Sequence, residues 1–247
     1  MLEFRPMIEF AGVTAARGAR EVLHDVTFAV GAGETVALVG PSGAGKSTAL
    51  RLVLRLNEPI AGRVVVDGRD TREWNPITLR RRTGYVLQDV GLFPHMSVTA
   101  NIASIPALDG WTRQRRQARV EEMLALVGLD PATFAERWPD ELSGGQRQRV
   151  GVARALAADP PVLLMDEPFG ALDPITRLEL HREFRRIQAA VRKTILLVTH
   201  DMREAFALAD RIGVLDDGRL VALETPGALH RSTHPTARLL VESMAGL

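Results

Sequence analysis

The run Gly40-Pro41-Ser42-Gly43-Ala44-Gly45-Lys46-Ser47 constrains this chain more than any other stretch. It follows an apolar segment, Thr35-Val36-Ala37-Leu38-Val39, and leads into Thr48-Ala49-Leu50-Arg51-Leu52-Val53-Leu54, whose pattern is helical rather than alternating. Strand, glycine loop and helix in that order give the GxxxxGK[ST] spacing its meaning. Gly40, Gly43 and Gly45 admit backbone dihedrals that a side chain would forbid, so consecutive N–H groups converge on phosphate oxygens. A helix opening at Lys46 adds the positive end of its dipole. Lys46 is then placed for β- and γ-phosphates, and the Ser47 hydroxyl for Mg²⁺. Of the 31 basic residues only Lys46 and Lys193 are lysines. A slim ammonium fits beneath phosphates where a planar guanidinium does not, so a lysine here fits the loop's purpose.

A length of 247 residues suits one large domain, or a domain carrying an insertion. A net charge of +1 argues against a nucleic-acid footprint. The basic run Arg113-Gln114-Arg115-Arg116-Gln117-Ala118-Arg119 reads as a solvated helix face. The absence of cysteine excludes disulfides and thiolate chemistry and fits a reducing cytoplasm. Neither a leader-like start nor a membrane-length apolar run is present. The expectation is a soluble chain, or one held at a membrane by a partner.

Turn signals at Gly18, Gly31 to Gly33 and Asp67-Gly68 separate β-patterned segments at 7–13, 22–30 and 63–68, which predicts antiparallel strands beside the loop. A short strand over 85–87 ends at Gln88. From 91 to 157 the character changes: Val120, Met123, Leu124 and Val127 recur at helical spacing, and the segment reads as a helical insertion. Near-continuous apolar runs at 161–165 and 194–198 suit central parallel strands covered on both faces. Between them lies a helix bearing Leu178, Leu180, Phe184, Ile187 and Val191, and a hairpin over 212–223 turns at Asp216-Asp217-Gly218. The predicted class is α/β, with residues 1–90 and 158–225 as core, 91–157 as helical subdomain and 226–247 as helical tail.

Asp166 and Glu167 end a buried strand, where functional carboxylates of a parallel sheet sit. Asp166 suits Mg²⁺ and Glu167 suits an attacking water, against the blander reading of an exposed acidic turn. His200 ends another buried strand at the same predicted sheet edge, with a γ-phosphate as its partner. Gln88, ending a third, would sense metal and γ-phosphate without adding charge. His95 lies in a loop with no partner at metal-ligand spacing. Ser143-Gly144-Gly145-Gln146 opens a helix expected from Gln146 to about Ala158; serine is a good cap, yet two glycines weaken a helix unless something must approach its backbone. Their plainest use is a second anion site, which a chain with one phosphate loop would offer to a second copy of itself about a two-fold axis.

In this order, the motifs resemble those of ABC transporter ATP-binding subunits across essentially the whole chain. Gly40, Pro41, Ser42, Gly43, Ala44, Gly45, Lys46 and Ser47, continued by Thr48, resemble Walker A. Gln88 is similar to the Q-loop, Leu142 to Gln146 to the signature, and Val162 to Asp166 with Glu167 to Walker B and its catalytic glutamate. Ala171-Leu172-Asp173 resembles the D-loop and His200 the switch histidine. The fold so implied is a P-loop NTPase (RecA-like) core with an N-terminal antiparallel β subdomain and the helical insertion. The resemblance implies ATP and Mg²⁺ as cofactors, with Ser47, Gln88 and Asp166 toward the metal and Glu167, His200 and Gln88 catalytic. A homodimer is implied, in which Ser143, Gly144, Gly145, Gln146 and Asp173 reach the nucleotide in trans. Also implied are permease subunits contacted near Gln88 to Ala100, an extracytoplasmic substrate-binding protein, and a place on the cytoplasmic face of the membrane.

The stretches Gly84 to Met96, Gly151 to Pro161 and Phe169 to Arg177 are similar to importers of quaternary amines such as glycine betaine, choline and carnitine. An importer of another solute, such as an amino acid, is the alternative, with a non-transport ABC ATPase of DNA repair or translation further off. Two departures stand out. Arg17 occupies the position where the family usually stacks an aromatic ring on adenine, and a guanidinium can stack there too. The chain ends at Leu247, so the CBS pair of many relatives is expected to be absent.

Overall fold

The computed structural model describes residues 6–170 and 172–245, so Ala171 of the expected D-loop lies outside the described residues. In chain order come strands β1 (Pro6–Arg17), β2 (Arg20–Gly31) and β3 (Thr35–Val39), helix α1 (Lys46–Val53), strands β4 (Ala61–Val66) and β5 (Arg69–Asp70), helix α2 (Pro76–Arg81) and strand β6 (Thr83–Val86). Helices α3 (Val98–Ile102), α4 (Ser104–Leu108), α5 (Arg113–Leu126), α6 (Pro131–Phe134) and α7 (Gly144–Leu156) precede β7 (Val162–Asp166), α8 (Pro174–Val191) and β8 (Thr194–Val198). Then follow α9 (Met202–Leu208), β9 (Arg211–Asp216), β10 (Arg219–Glu224), α10 (Pro226–Leu229) and α11 (Pro235–Ala245). These divide into two compact units, Met1–Arg80 with Lys193–Leu247, and Arg81–Arg192.

In the first unit β3 is buried along its whole length and flanked in parallel by β8 and β9. Burial of both faces explains why β3 and β8 are continuous apolar runs. Strand β10 folds back antiparallel on β9 through Asp217-Gly218, whose φ values of 41° and 75° make the tight hairpin turn that the sequence suggests. A second sheet, in the order β2-β1-β4-β5, is antiparallel throughout. Strand β1 runs longer than its sequence pattern suggests, because a bulge breaks the alternation. Ile8 and Phe10 are buried before it, Val13 and Ala15 after it. Gly12 (φ 61°) on β1 and Asp25 (φ 51°) on β2 absorb the slip, as one extra residue flips every later side chain to the other face. Phe10 and Phe28 stack across the pair at 4.5 Å. Helix α1 stops at Val53, earlier than the pattern suggests, because Arg55 turns left-handed (φ 49°) just beyond.

In the second unit β6 and β7 pair in parallel, from Thr83 with Val162 to Val86 with Met165. Helix α5 buries Val120, Met123 and Leu124, and Val127, the fourth residue picked out by helical spacing, is buried at its C-cap. Its basic run is mostly exposed, with Arg115 over the Trp111 ring. Arg119 turns inward and donates to the carbonyls of Leu156 and Ala157, closing the end of α7. Helix α8 buries Leu180, Phe184 and Ile187, whereas Leu178 is exposed and falls off the core stripe.

Candidate functional site

Strand β3 delivers the glycine loop and α1 receives it, with Gly45 left-handed (φ 95°) at the helix start. Its glycines differ in what they do. A Cβ on Gly40 would overlap the Leu215 carbonyl oxygen, and one on Gly45 would overlap Leu23 and stand 2.6 Å from the Val22 carbonyl. At Gly43 (φ 84°) there is open space, so only the backbone angle demands glycine. Lys46 is 7% exposed, and its Nζ donates to the carbonyls of Gly40 (2.8 Å) and Pro41 (2.9 Å). Pro41, Ser42 and Gly43 are exposed, Ser47 is half-buried, and Ala44 and Thr48 are buried.

Parallel pairing of β3 with β8 sets Leu38 opposite Val198, and the Thr199 N–H donates to the Leu38 carbonyl at 3.2 Å. Gly40 and exposed His200 therefore leave the same sheet edge in register, as the sequence reading expects. Buried Glu204 accepts from the Thr199 hydroxyl at 2.7 Å, and that hydroxyl accepts from the Asp201 N–H, which fixes the turn around His200. Arg17 is exposed at the tip of the β1–β2 hairpin, paired across it with Arg20. Because Val22 and Leu23 of that hairpin lie against Gly45, its tip stands close to the loop.

In the second unit the β6–β7 register brings together Gln88, Asp166 and Glu167. The Tyr85 hydroxyl donates to Asp166 Oδ2 at 3.2 Å, and Gln88 Nε2 donates to Glu167 Oε2 at 3.4 Å. Strand β6 ends at Val86, so Gln88 lies in the exposed turn beyond it rather than at the strand's end. Glu167 takes φ 47°, a left-handed conformation costing about 1–3 kcal/mol for a residue with a Cβ, so the surrounding chain imposes its direction. Tyr85 escaped the sequence reading, although the chain's one tyrosine, set in a strand ending beside Gln88, was the available signal.

Helix α7 opens at Gly144, two residues earlier than the pattern suggests. Ser143 Oγ accepts from the Gln146 N–H (3.2 Å) while Gln146 Oε1 accepts from the Ser143 N–H (2.9 Å), a reciprocal capping box. A Cβ on Gly145 would stand 2.9 Å from Thr176 on α8, so packing accounts for that glycine. Gly144 would meet only the Leu172 side chain, at 3.4 Å. Asp173 caps α8, accepting from the N–H groups of Ile175 and Thr176. The bond from the Thr176 side chain, then those from the backbone, hold its carboxyl below the usual carboxylate range. The openings of α7 and α8 thus meet in this unit.

For a divalent cation the candidate donors are the Ser47 hydroxyl, the Gln88 amide and the Asp166 carboxylate. Among the described residues no cluster of three or more His, Asp or Glu is arranged for a metal. Within the second unit, Asp166 and Gln88 offer one carboxylate and one neutral amide oxygen, donor types that suit Mg²⁺ arriving with phosphates and water rather than a resident ion in an all-protein cage.

The profile of the ABC transporter family matches residues 23–170. The chain is 48% identical over 216 residues to the choline transport ATP-binding protein OpuBA of Bacillus subtilis, covering 87% of this chain and 56% of that protein. It is 49% identical over 220 residues to the glycine betaine uptake system ATP-binding protein YehX of Escherichia coli, covering 89% and 71%. The chain thus spans little more than half the length of OpuBA. Among solved structures, the dimeric ATP-binding cassette MJ0796 bound to ADP and Pi superposes with a TM-score of 0.78 at 33% identity, covering 89% of this chain and 99% of that one. The fold is that of an ABC ATPase cassette, and the chain belongs to the ABC transporter family.

Proposed function

We propose that this chain is the ATP-hydrolysing subunit of an importer that takes up a quaternary amine osmoprotectant such as glycine betaine or choline. The observation that carries the nucleotide chemistry is the β3–β8 register, which launches the glycine loop and His200 from one edge. Resemblance to choline and glycine betaine transport subunits supports the solute class. In this reading the loop N–H groups and Lys46 hold the β- and γ-phosphates, and Arg17 stacks on the base. Glu167, with its direction imposed by the backbone, orients the attacking water and accepts its proton; His200 donates to the γ-phosphate. Mg²⁺, when bound, neutralises phosphate charge, and Ser47, Asp166 and Gln88 are the residues to hold it. Ser143 and the N–H groups at the start of α7, with Asp173, address the nucleotide of a second copy. The dimeric form of the MJ0796 cassette supports that arrangement. Exposed Leu87, Phe93, Pro94 and His95 offer a surface for a permease. Because no described helix is long and apolar enough to cross a membrane, attachment to its cytoplasmic face would run through that permease.

The test combines phosphate release by the purified chain with uptake of labelled glycine betaine and choline by cells lacking it. Release that requires Mg²⁺ and disappears in Lys46→Ala, together with lost amine uptake, is the expected result. Hydrolysis with both uptakes intact moves the chain to an importer of another solute.

A further inference from the structure

The turn that carries Gln88 is held from outside itself. The Val90 N–H donates to the Leu87 carbonyl at 3.0 Å, closing a turn over Gln88 and Asp89. Val90 then takes φ 58° and Gly91 φ 60°. For a β-branched residue the left-handed region is rare and strained, so neighbours must hold Val90 there. Arg154 on α7 does so: Nη1 donates to the Gly91 carbonyl and Nη2 to the Val90 carbonyl, both at 2.7 Å. One turn earlier on α7, a Cβ at Gly151 would stand 2.7 Å from Val90 Cγ1, so glycine leaves a seat for the valine. The Arg154 guanidinium also lies over Phe93, 5.7 Å from the ring centre. Burial lowers the pKa of Arg154 from its ordinary value. Farther along, fully buried Asn101 donates to the carbonyls of Phe93, Met96 and Ser97 and accepts from the Phe93 N–H. Asn101 thereby fixes 93–97, and Arg154 fixes 90–91.

We propose that Arg154 is a positioning residue for Gln88: its fork on the Val90 and Gly91 carbonyls makes the Gln88 turn move with α7, the helix that opens at Ser143–Gly145, and so sets the hydrogen bond from Gln88 to Glu167. The proposal rests on the nucleotide-hydrolysing reading above. It makes the far end of α7 a lever on the residue that touches the candidate base.

Steady-state ATP hydrolysis and amide hydrogen exchange over 87–93 test it, in wild type, Arg154→Ala, Arg154→Lys and the double variant Arg154→Ala with Val90→Gly. Lysine keeps the charge but cannot fork to two carbonyls, so both single variants are expected to lose kcat by about 10- to 100-fold. KM should stay within about twofold, and protection of the 90–93 amides should fall. Glycine at 90 adopts the left-handed turn unaided, so the double variant recovers part of the lost kcat. An arginine with a merely structural role would lower Tm, leave kcat per folded molecule unchanged and gain nothing from glycine at 90; that result overturns the proposal. Should the alanine variant fail to fold, the lysine variant carries the same comparison. Wild-type protein without ATP turnover would overturn the functional reading and this proposal with it, whereas an active wild type matched by Arg154→Lys overturns the clamp alone.

Discussion

If Arg17 faces the base as proposed, this one side chain sets the binding preference. It stands exposed at a hairpin tip, while Val22 and Leu23 of the same hairpin abut Gly45 of the phosphate loop. A planar guanidinium offers a face to any base, since every base has a π-surface, and so selects weakly among them. Arg17→Ala is therefore expected to weaken ATP and GTP binding to a similar extent, about two- to fivefold, in competition against a fluorescent nucleotide. Unchanged affinity for both nucleotides would remove Arg17 from the site, and a loss for ATP alone would make its contact base-specific. The candidate site residues stand out in the sequence because each sets a polar or ionisable group beside a buried strand or a glycine loop. Lys46, Asp166, Glu167 and His200 all have that signature. Tyr85 has no such local mark: its link to Asp166 depends on the parallel register of two strands far apart in sequence.

At the scale of elements, the cap at the start of α7 can be separated from the anion contact proposed for it. Ser143 and Gln146 close a capping box, and Gly145 packs against Thr176, so a stable helix end alone explains part of the Ser143-Gly144-Gly145-Gln146 motif. Loss of the cap in Ser143→Ala should cost about 1 kcal/mol, seen as a Tm lowered by a few degrees. A bulky cation in Ser143→Arg loses the same cap and also obstructs any anion approaching the helix end. Its hydrolysis should vanish while nucleotide binding by single chains persists, and turnover like that of the alanine variant would leave Ser143 a cap and nothing more. Most elements were legible for the usual reason, a period of two or of 3.6 in the apolar residues. Where the pattern misled, a backbone irregularity intervened. The bulge at Gly12 and Asp25 shifted the alternation of β1, the left-handed Arg55 shortened α1, and the capping box drew two glycines into the first turn of α7. Such features depend on dihedral angles at single residues, which apolar spacing does not encode.

At the scale of the molecule, the question is why a chain should own two helix ends suited to anions. In the proposed reading the glycine loop at α1, with the Lys46 ammonium bound to its carbonyls, already serves one triphosphate. In that reading a second anion site at the start of α7 is redundant unless a second copy uses it. The proposed two-fold pairing would resolve the redundancy, since each copy would then complete the other's site through the same surface. In that case the nucleotide itself glues the copies together, and hydrolysis must precede their release. Glu167→Gln keeps the size and the hydrogen bonding of the side chain but removes the base, so kcat should fall by about 100- to 10,000-fold. With release blocked, the dimer should accumulate: light scattering on the variant with Mg²⁺ and ATP should read twice the 27.0 kDa chain mass, and the single mass once the metal is chelated. A variant that binds ATP tightly and still scatters as one chain would leave α7 without an anion to receive, and the Ser143-Gly144-Gly145-Gln146 turn would reduce to a well-capped helix start.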